Sequence, residues 1–198
     1  FFHTGTFGSH QWAFSQGLGA RDLVTALVMS WIRSIGTGFK IAGYLSDIQG
    51  AFDRVCKEYL LAKLQAIGVG ETYLNFLGSY LQARQAKVVV EGVESDPFLI
   101  SDTVFQGTVL GPPLWNIFFR DVVVPAASTG GDPSVFADDL NVFKSFSRLE
   151  NSETVKNMMQ VCRQKVHAWG RTNRILFDPG KEHLVVIHPI NGVGDAFK

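Results

Sequence analysis

Three carboxylates in this chain have the types and spacing to do chemistry: Asp47, and the adjacent pair Asp138 and Asp139. Asp47 closes an alternating apolar run, Phe39 to Asp47, and the pair interrupts a second run, Val135 to Phe143. An acid where a buried strand stops is costly unless it is hydrated, paired or bound to a cation. Taken singly, each has an ordinary explanation, because Asp tolerates left-handed backbone and bonds nearby amides in turns. Taken together they admit another. If the second run folds as a hairpin beside the Asp47 strand, the carboxylates converge and repel one another unless cations fill the space. Hard oxygen donors suit Mg²⁺ or Mn²⁺. Two such ions roughly 3.5–4 Å apart activate an attacking hydroxyl and stabilise a leaving phosphate, which serves polymerases, nucleases and phosphatases alike.

The elements that must hold these acids follow from hydrophobic periodicity. Residues 21–35 predict a helix, apolar nearly all round (Leu23, Val24, Leu27, Val28, Trp31, Ile32) and therefore buried, stopped by Gly36 and Gly38. Residues 39–47 alternate as a strand. Residues 58–67 and 71–81 predict helices, 86–90 and 98–104 short strands, and Gly111–Pro113 opens a helix ending near Pro125. Residues 135–143 predict a tight hairpin with both acids at its tip. Residues 152–170 predict a helix with a core stripe at Val155, Met159, Cys162, Val166 and Trp169, and residues 183–188 a closing strand. This mixed order predicts an α+β fold, helices packed on one face of a largely antiparallel sheet.

Composition sets the bounds. With 198 residues, 46% of them hydrophobic and 18% charged, the chain has material for one domain's core and is neither disordered nor a charged tail. No apolar run reaches the ~18 residues of a membrane span, so no membrane partner is expected. Cys56 and Cys162 are too far apart in sequence to suggest a metal pair or a disulfide framework, which reads as an intracellular protein. No signal-peptide pattern is present. Lys and Arg number 18 against 18 Asp and Glu, and zero net charge alone argues against a nucleic-acid binder. The distribution tempers that. Residues 1–46 carry +2, residues 47–143 carry −6 and residues 144–198 carry +4, an acidic centre between basic ends. Chance and solvated surface would explain such a pattern, as would a cation-binding centre flanked by phosphate-binding arms.

Four motifs in order then give the pattern a meaning. Tyr44-Leu-Ser-Asp47-Ile48-Gln-Gly-Ala-Phe52-Asp53 resembles the first palm motif of reverse transcriptases, an aspartate followed five residues on by an aromatic. Phe105-Gln106-Gly107 running into Gly111-Pro-Pro-Leu114 resembles the second, and Phe136-Ala137-Asp138-Asp139 the third. Trp169 to Asn173, with Phe177-Asp-Pro-Gly-Lys181, resembles the fourth, which ends in a lysine. The stretch from Gln11 to Asp22 is similar to the start of the fingers in non-LTR (LINE-type) retrotransposon enzymes. The chain is thus identified as resembling the reverse transcriptase domain of that group over nearly its whole length.

The resemblance implies a right-hand palm with partial fingers: about 1–39 fingers, about 40–198 mainly palm with finger insertions, and the thumb absent. It implies RNA-directed DNA polymerase activity with RNA template, DNA primer and dNTP as partners. It makes Asp47 and Asp138 metal ligands assisted by the Ile48 carbonyl, with Asp139 shaping the electrostatics, and two Mg²⁺ (or Mn²⁺) ions as cofactors. Phe52 takes the place of a steric gate against the ribonucleotide 2′-hydroxyl, while Gln106 and Gly107 line the nucleotide and template site. Lys181 approaches the triphosphate or donates a proton to pyrophosphate. Ser15 stands after Phe14 where the group commonly has an arginine, which leaves Arg21 as the nearest substitute. Phe105 replaces the usual proline before Gln-Gly. The resemblance implies action in the nucleus and says nothing of protein partners. Two other readings stand beside it: a retroelement remnant that keeps the fold and at most binds nucleic acid or a partner, and a different two-metal enzyme.

Overall fold

A computed structural model describes residues 8–188 and 195–197. In chain order the elements are α1 (Ala20–Gly36), β1 (Phe39–Ser46), α2 (Lys57–Ala66), α3 (Glu71–Tyr80), β2 (Arg84–Ala86), β3 (Val89–Val90), β4 (Val93–Glu94), β5 (Phe98–Ile100), α4 (Gly111–Phe119), α5 (Val123–Ala127), β6 (Asp132–Phe136), β7 (Asp139–Ser147), α6 (Ser152–Asn173), β8 (His183–Ile187) and β9 (Asp195–Phe197). They divide into two compact units, one of residues up to 49 with those from 119 onward, the other of residues 50–118.

The first unit is built on a five-stranded antiparallel sheet in the order β6-β7-β1-β8-β9. β1 occupies the centre because both its faces are apolar: Ile41, Ala42 and Tyr44 are almost wholly buried. Helices α5 and α6 lie on the Tyr44 side. The α6 stripe of Val155, Met159, Cys162 and Val166 is buried, and the Cys162 thiol points at the Ala126 carbonyl of α5. The opposite side receives α1, whose Trp31 meets Phe143 edge-on at 4.8 Å between ring centroids. Gly43 makes that side possible. A Cβ there would lie 2.5 Å from Phe143 Cε1, so only hydrogen fits beneath the ring.

Helix α1 differs from its expectation. Its apolar residues predict burial all round, yet Leu23 is its one buried residue, and Val24, Val28, Met29 and Ile32 are 58%, 38%, 49% and 58% exposed. A helix can press only one side against a sheet, and β1 meets α1 along that one side. Among the described residues, no helix is long and apolar enough to cross a membrane.

The second unit packs α2 on α3 and carries two small antiparallel ladders, β2–β5 and β3–β4. The predicted strand 86–90 therefore resolves into two short pieces, each in its own ladder.

Candidate active site

Asp47 lies one residue past the end of β1. The register pairs Ser46 with Leu140, which brings Asp47 and Asp139 opposite each other just beyond the last rung. Asp138 is the second residue of the two-residue loop that joins β6 to β7, closed by the Phe136–Asp139 pair. Such loops need a positive φ at their first position, and Ala137 supplies it at φ 57°. With a Cβ, that left-handed conformation costs roughly 1–2 kcal/mol, so neighbouring groups must hold it.

The chain after Asp47 is anchored by a short antiparallel pairing. Gln49 N–H donates to Leu176 O (3.0 Å), Asp178 N–H donates to Asp47 O (3.0 Å), and Ile48 bridges Phe177 between them. Neither bond uses the Ile48 carbonyl. The Asp178 carboxylate then accepts from Gly180 N–H (2.9 Å), and its carbonyl accepts from Lys181 N–H (3.0 Å). This turn swings Lys181 back to Asp47, with which it forms an ion pair at Oδ2. The other oxygen of Asp47 accepts from Ile48 N–H at 2.8 Å. The fourth motif thus delivers its lysine to the acid of the first.

The electrostatics agree with a cation site. Burial and the nearby Asp47 push the Asp138 carboxyl up, against the pull of its own backbone amide and Lys181. Burial, Asp138 and Asp47 do the same to Asp139. The hydrogen bond to Asp47, and that acid's charge, hold Lys181 above its usual value. Acids that repel one another and offer hard oxygens fit a divalent metal. Their oxygens are nevertheless spread: among the described residues, Cys56, Glu58 and Asp102 bring three ligand atoms within 4.8 Å of one another, and the three aspartates do not. In that other cluster, burial pushes the Cys56 thiol up, and its Sγ donates to Glu58 at 3.2 Å. It is a hydrogen-bonded group, not a thiolate.

The remaining expected residues fall elsewhere. Arg21 stands exposed in the first turn of α1, and no side-chain interaction among the described residues links it to the carboxylates. Phe52, Gln106 and Gly107 belong to the second unit. There Phe52 is half-buried and stacks on Trp115 (5.8 Å, 25°), and its carbonyl accepts from Val104 N–H at 2.9 Å. A Cβ on Gly111 would come within 3.3 Å of the Phe52 ring. Gln106 and Gly107 form an exposed turn with Gly107 at φ 77°, a conformation that glycine adopts without strain.

Two features escaped the sequence reading. Glu182, whose side chain is 5% exposed, accepts from Tyr44 Oη (2.5 Å), His167 Nε2 (2.6 Å), and Arg163 Nη2 and Nε (2.7 and 3.1 Å). Burial would raise its carboxyl, but the bonds from Arg163, Tyr44 and His167 together hold it below the usual range. Burial and the adjacent Glu182 push the Tyr44 phenol up. A tyrosine inside an apolar strand was the available signal, since a buried hydroxyl needs a partner. The second feature is Gln11, which reaches the Ala137 backbone from far along the chain. No local pattern announces it.

Comparison with known proteins joins this geometry to a family. The family model "Reverse transcriptase (RNA-dependent DNA polymerase)" matches residues 40–192. The probable RNA-directed DNA polymerase from transposon BS of Drosophila melanogaster is 31% identical over 141 residues, 69% of this chain and 16% of that protein. The RNA-directed DNA polymerase from mobile element jockey of the same fly is 33% identical over 133 residues, 64% and 14% of the respective chains. The chain thus spans about a sixth of the length of these relatives. Among solved structures, apo telomerase from Candida tropicalis, truncated from its C-terminal domain, has the same fold, with a TM-score of 0.63 at 10% identity over 91% of this chain and 40% of that one. With the motif acids at one end of an antiparallel sheet and the family model covering most of its length, the chain belongs to the reverse transcriptase family, with relatives among the non-LTR transposons.

Proposed function

We propose that this chain is the palm-centred core of an RNA-directed DNA polymerase that transfers dNMP from a dNTP to the 3′-hydroxyl of a DNA primer paired to an RNA template. The observation that carries the reading is the meeting of Asp47 with the Asp138–Asp139 hairpin at one end of the β1–β7 ladder. The reverse transcriptase family uses divalent metal, and Asp47, Asp138 and the Ile48 carbonyl are the groups that would hold it, with Asp139 adding negative potential. Two bound Mg²⁺ or Mn²⁺ ions would supply activation of the hydroxyl and neutralisation of the leaving pyrophosphate.

The side chains of the protein do the rest. Lys181, ion-paired with Asp47, would offer its cation to the triphosphate if a metal held that acid. Phe52, held against Trp115, would exclude a 2′-hydroxyl by occupying its space. Gln106 and Gly107 would line the nucleotide and template, where glycine lets backbone approach closely. Arg21 would reach the triphosphate from α1. On the resemblance, partial fingers would occupy about 1–39, and about 40–198 would be mainly palm with finger insertions. Catalysis of this kind rests on positioning and charge neutralisation.

The test pairs two measurements. Mn²⁺ binding to the chain is followed by the loss of its free-ion EPR signal, and primer extension on an RNA template is assayed in the polypeptide of the complete reading frame. Asp138→Asn should abolish both. Extension that survives Asp138→Asn, or a wild-type chain that binds no Mn²⁺, overturns the proposal. Binding without extension would instead favour the remnant that retains the fold.

A further inference from the structure

We propose that Gln11 is a positioning residue for the Asp138 carboxylate, clamping the strained turn that carries it. The Gln11 side chain, in a residue only 6% exposed, bonds both polar backbone groups of Ala137. Its Oε1 accepts from Ala137 N–H (3.0 Å), and its Nε2 donates to Ala137 O (3.2 Å). The two peptide groups flanking Ala137 are thereby both held, which fixes φ and ψ at the one left-handed residue of the loop. Because the second of these peptides also contains the Asp138 nitrogen, the clamp sets the starting point of the Asp138 side chain.

The clamp is itself clamped. Residues 10–12 lie parallel to the outer edge of β6, with Val135 N–H donating to His10 O (2.8 Å) and Trp12 N–H donating to Val135 O (2.9 Å). The His10 ring Nδ1 binds Pro133 O at 2.8 Å. The Gln11 Oε1 also accepts from Ala13 N–H at 3.0 Å, which locks the amide's orientation. Among the described residues, the backbone pairing with this edge reaches Val135 and no further along β6. The Gln11 amide carries the hydrogen bonding on to Ala137 in the loop.

Side-chain chemistry makes the assignment specific. Only a primary amide of this length both accepts from the Ala137 N–H and donates to its carbonyl. Glutamate keeps the acceptor and loses the donor. Methionine fills a similar volume and offers neither bond. That Asp138 serves a metal rests on the proposed function, whereas the clamp on the turn does not.

The experiment uses the whole chain as wild type, Gln11→Met, Gln11→Glu and Asp138→Asn. It measures amide hydrogen exchange at Ala137–Asp139 against the amides of β1, together with Mn²⁺ affinity by EPR. Gln11→Met should speed exchange at Ala137 about tenfold or more, leave the β1 amides within about twofold, and weaken Mn²⁺ binding about tenfold, as loss of an orienting outer partner does. Gln11→Glu should leave the Ala137 amide better protected than Gln11→Met does. Unchanged Ala137 exchange in Gln11→Met, or a rise shared equally with β1, overturns the clamp. If the wild type binds no Mn²⁺, or Asp138→Asn binds it equally well, the metal reading fails while the exchange result still decides the role of Gln11.

Discussion

Replacing Glu182 by leucine should lower the stability of the chain well beyond what replacing Tyr44 by phenylalanine does. Tyr44→Phe removes one of four hydrogen bonds to a carboxylate that keeps His167 and the two-pronged Arg163, a loss of about 1 kcal/mol. Glu182→Leu strips the acceptor from the Tyr44 hydroxyl, in a residue 0% exposed, and leaving a buried hydroxyl unmet costs roughly 1–3 kcal/mol. Arg163 and His167, with side chains 47% and 28% exposed, regain water and add little. Loss of the charge-assisted bonds brings the total to roughly 2–4 kcal/mol. The double variant Tyr44→Phe/Glu182→Leu removes both partners and should recover about 1–2 kcal/mol relative to Glu182→Leu alone. Urea unfolding followed by far-UV circular dichroism, with an unchanged m value, measures all three. The acid side gives a second reading. Because Glu182 is held below its ordinary 4.5, its contribution is complete above that pH and disappears as pH falls through the depressed value. Equal losses in the two single variants, or strict additivity in the double, would refute the reasoning.

Asp138→Asn should raise the melting temperature of the metal-free chain by about 2–4 °C while abolishing Mn²⁺ binding. Its carboxyl is pushed up in the fold, so it opposes folding above that raised value and ceases to do so as pH falls through it; an unchanged or lowered melting temperature would contradict this. Gly43→Ala, by forcing Phe143 off the sheet, should cost about 1–3 kcal/mol in urea unfolding and loosen the Trp31 contact, and near-neutral stability would mean the ring has room to move. Lys181→Ala removes a competitor for the Asp47 carboxylate and should tighten Mn²⁺ binding about two- to fivefold at low salt; weaker binding would mean the lysine supports the site in its metal-bound form. Phe52→Ala should raise ribonucleotide incorporation in a primer-extension assay of the complete reading frame, and an unchanged ratio removes the gate assignment.

The sequence by itself determined most of the elements and the family. Alternation placed β1 within one residue of its observed end and found the β6–β7 turn, although the two strands run three and four residues beyond the expected 135–143 and Asp139 already belongs to β7; the Val155–Val166 stripe named the buried side of α6. These signals are local: period and turn chemistry are written within windows of about 11–18 residues or fewer. The four motifs carried the family for the same reason, since each is a short fixed pattern. Tertiary structure alone decided what meets what. It set the Ser46–Leu140 register that brings Asp47 to Asp139, left most of the apolar surface of α1 outside the sheet contact, and gave the Tyr44 hydroxyl its acceptor in Glu182. It also carried Gln11 across 126 positions to the Ala137 turn. Register and long-range hydrogen bonds depend on which of several competent surfaces pair, a competition among distant segments that no single stretch of sequence records.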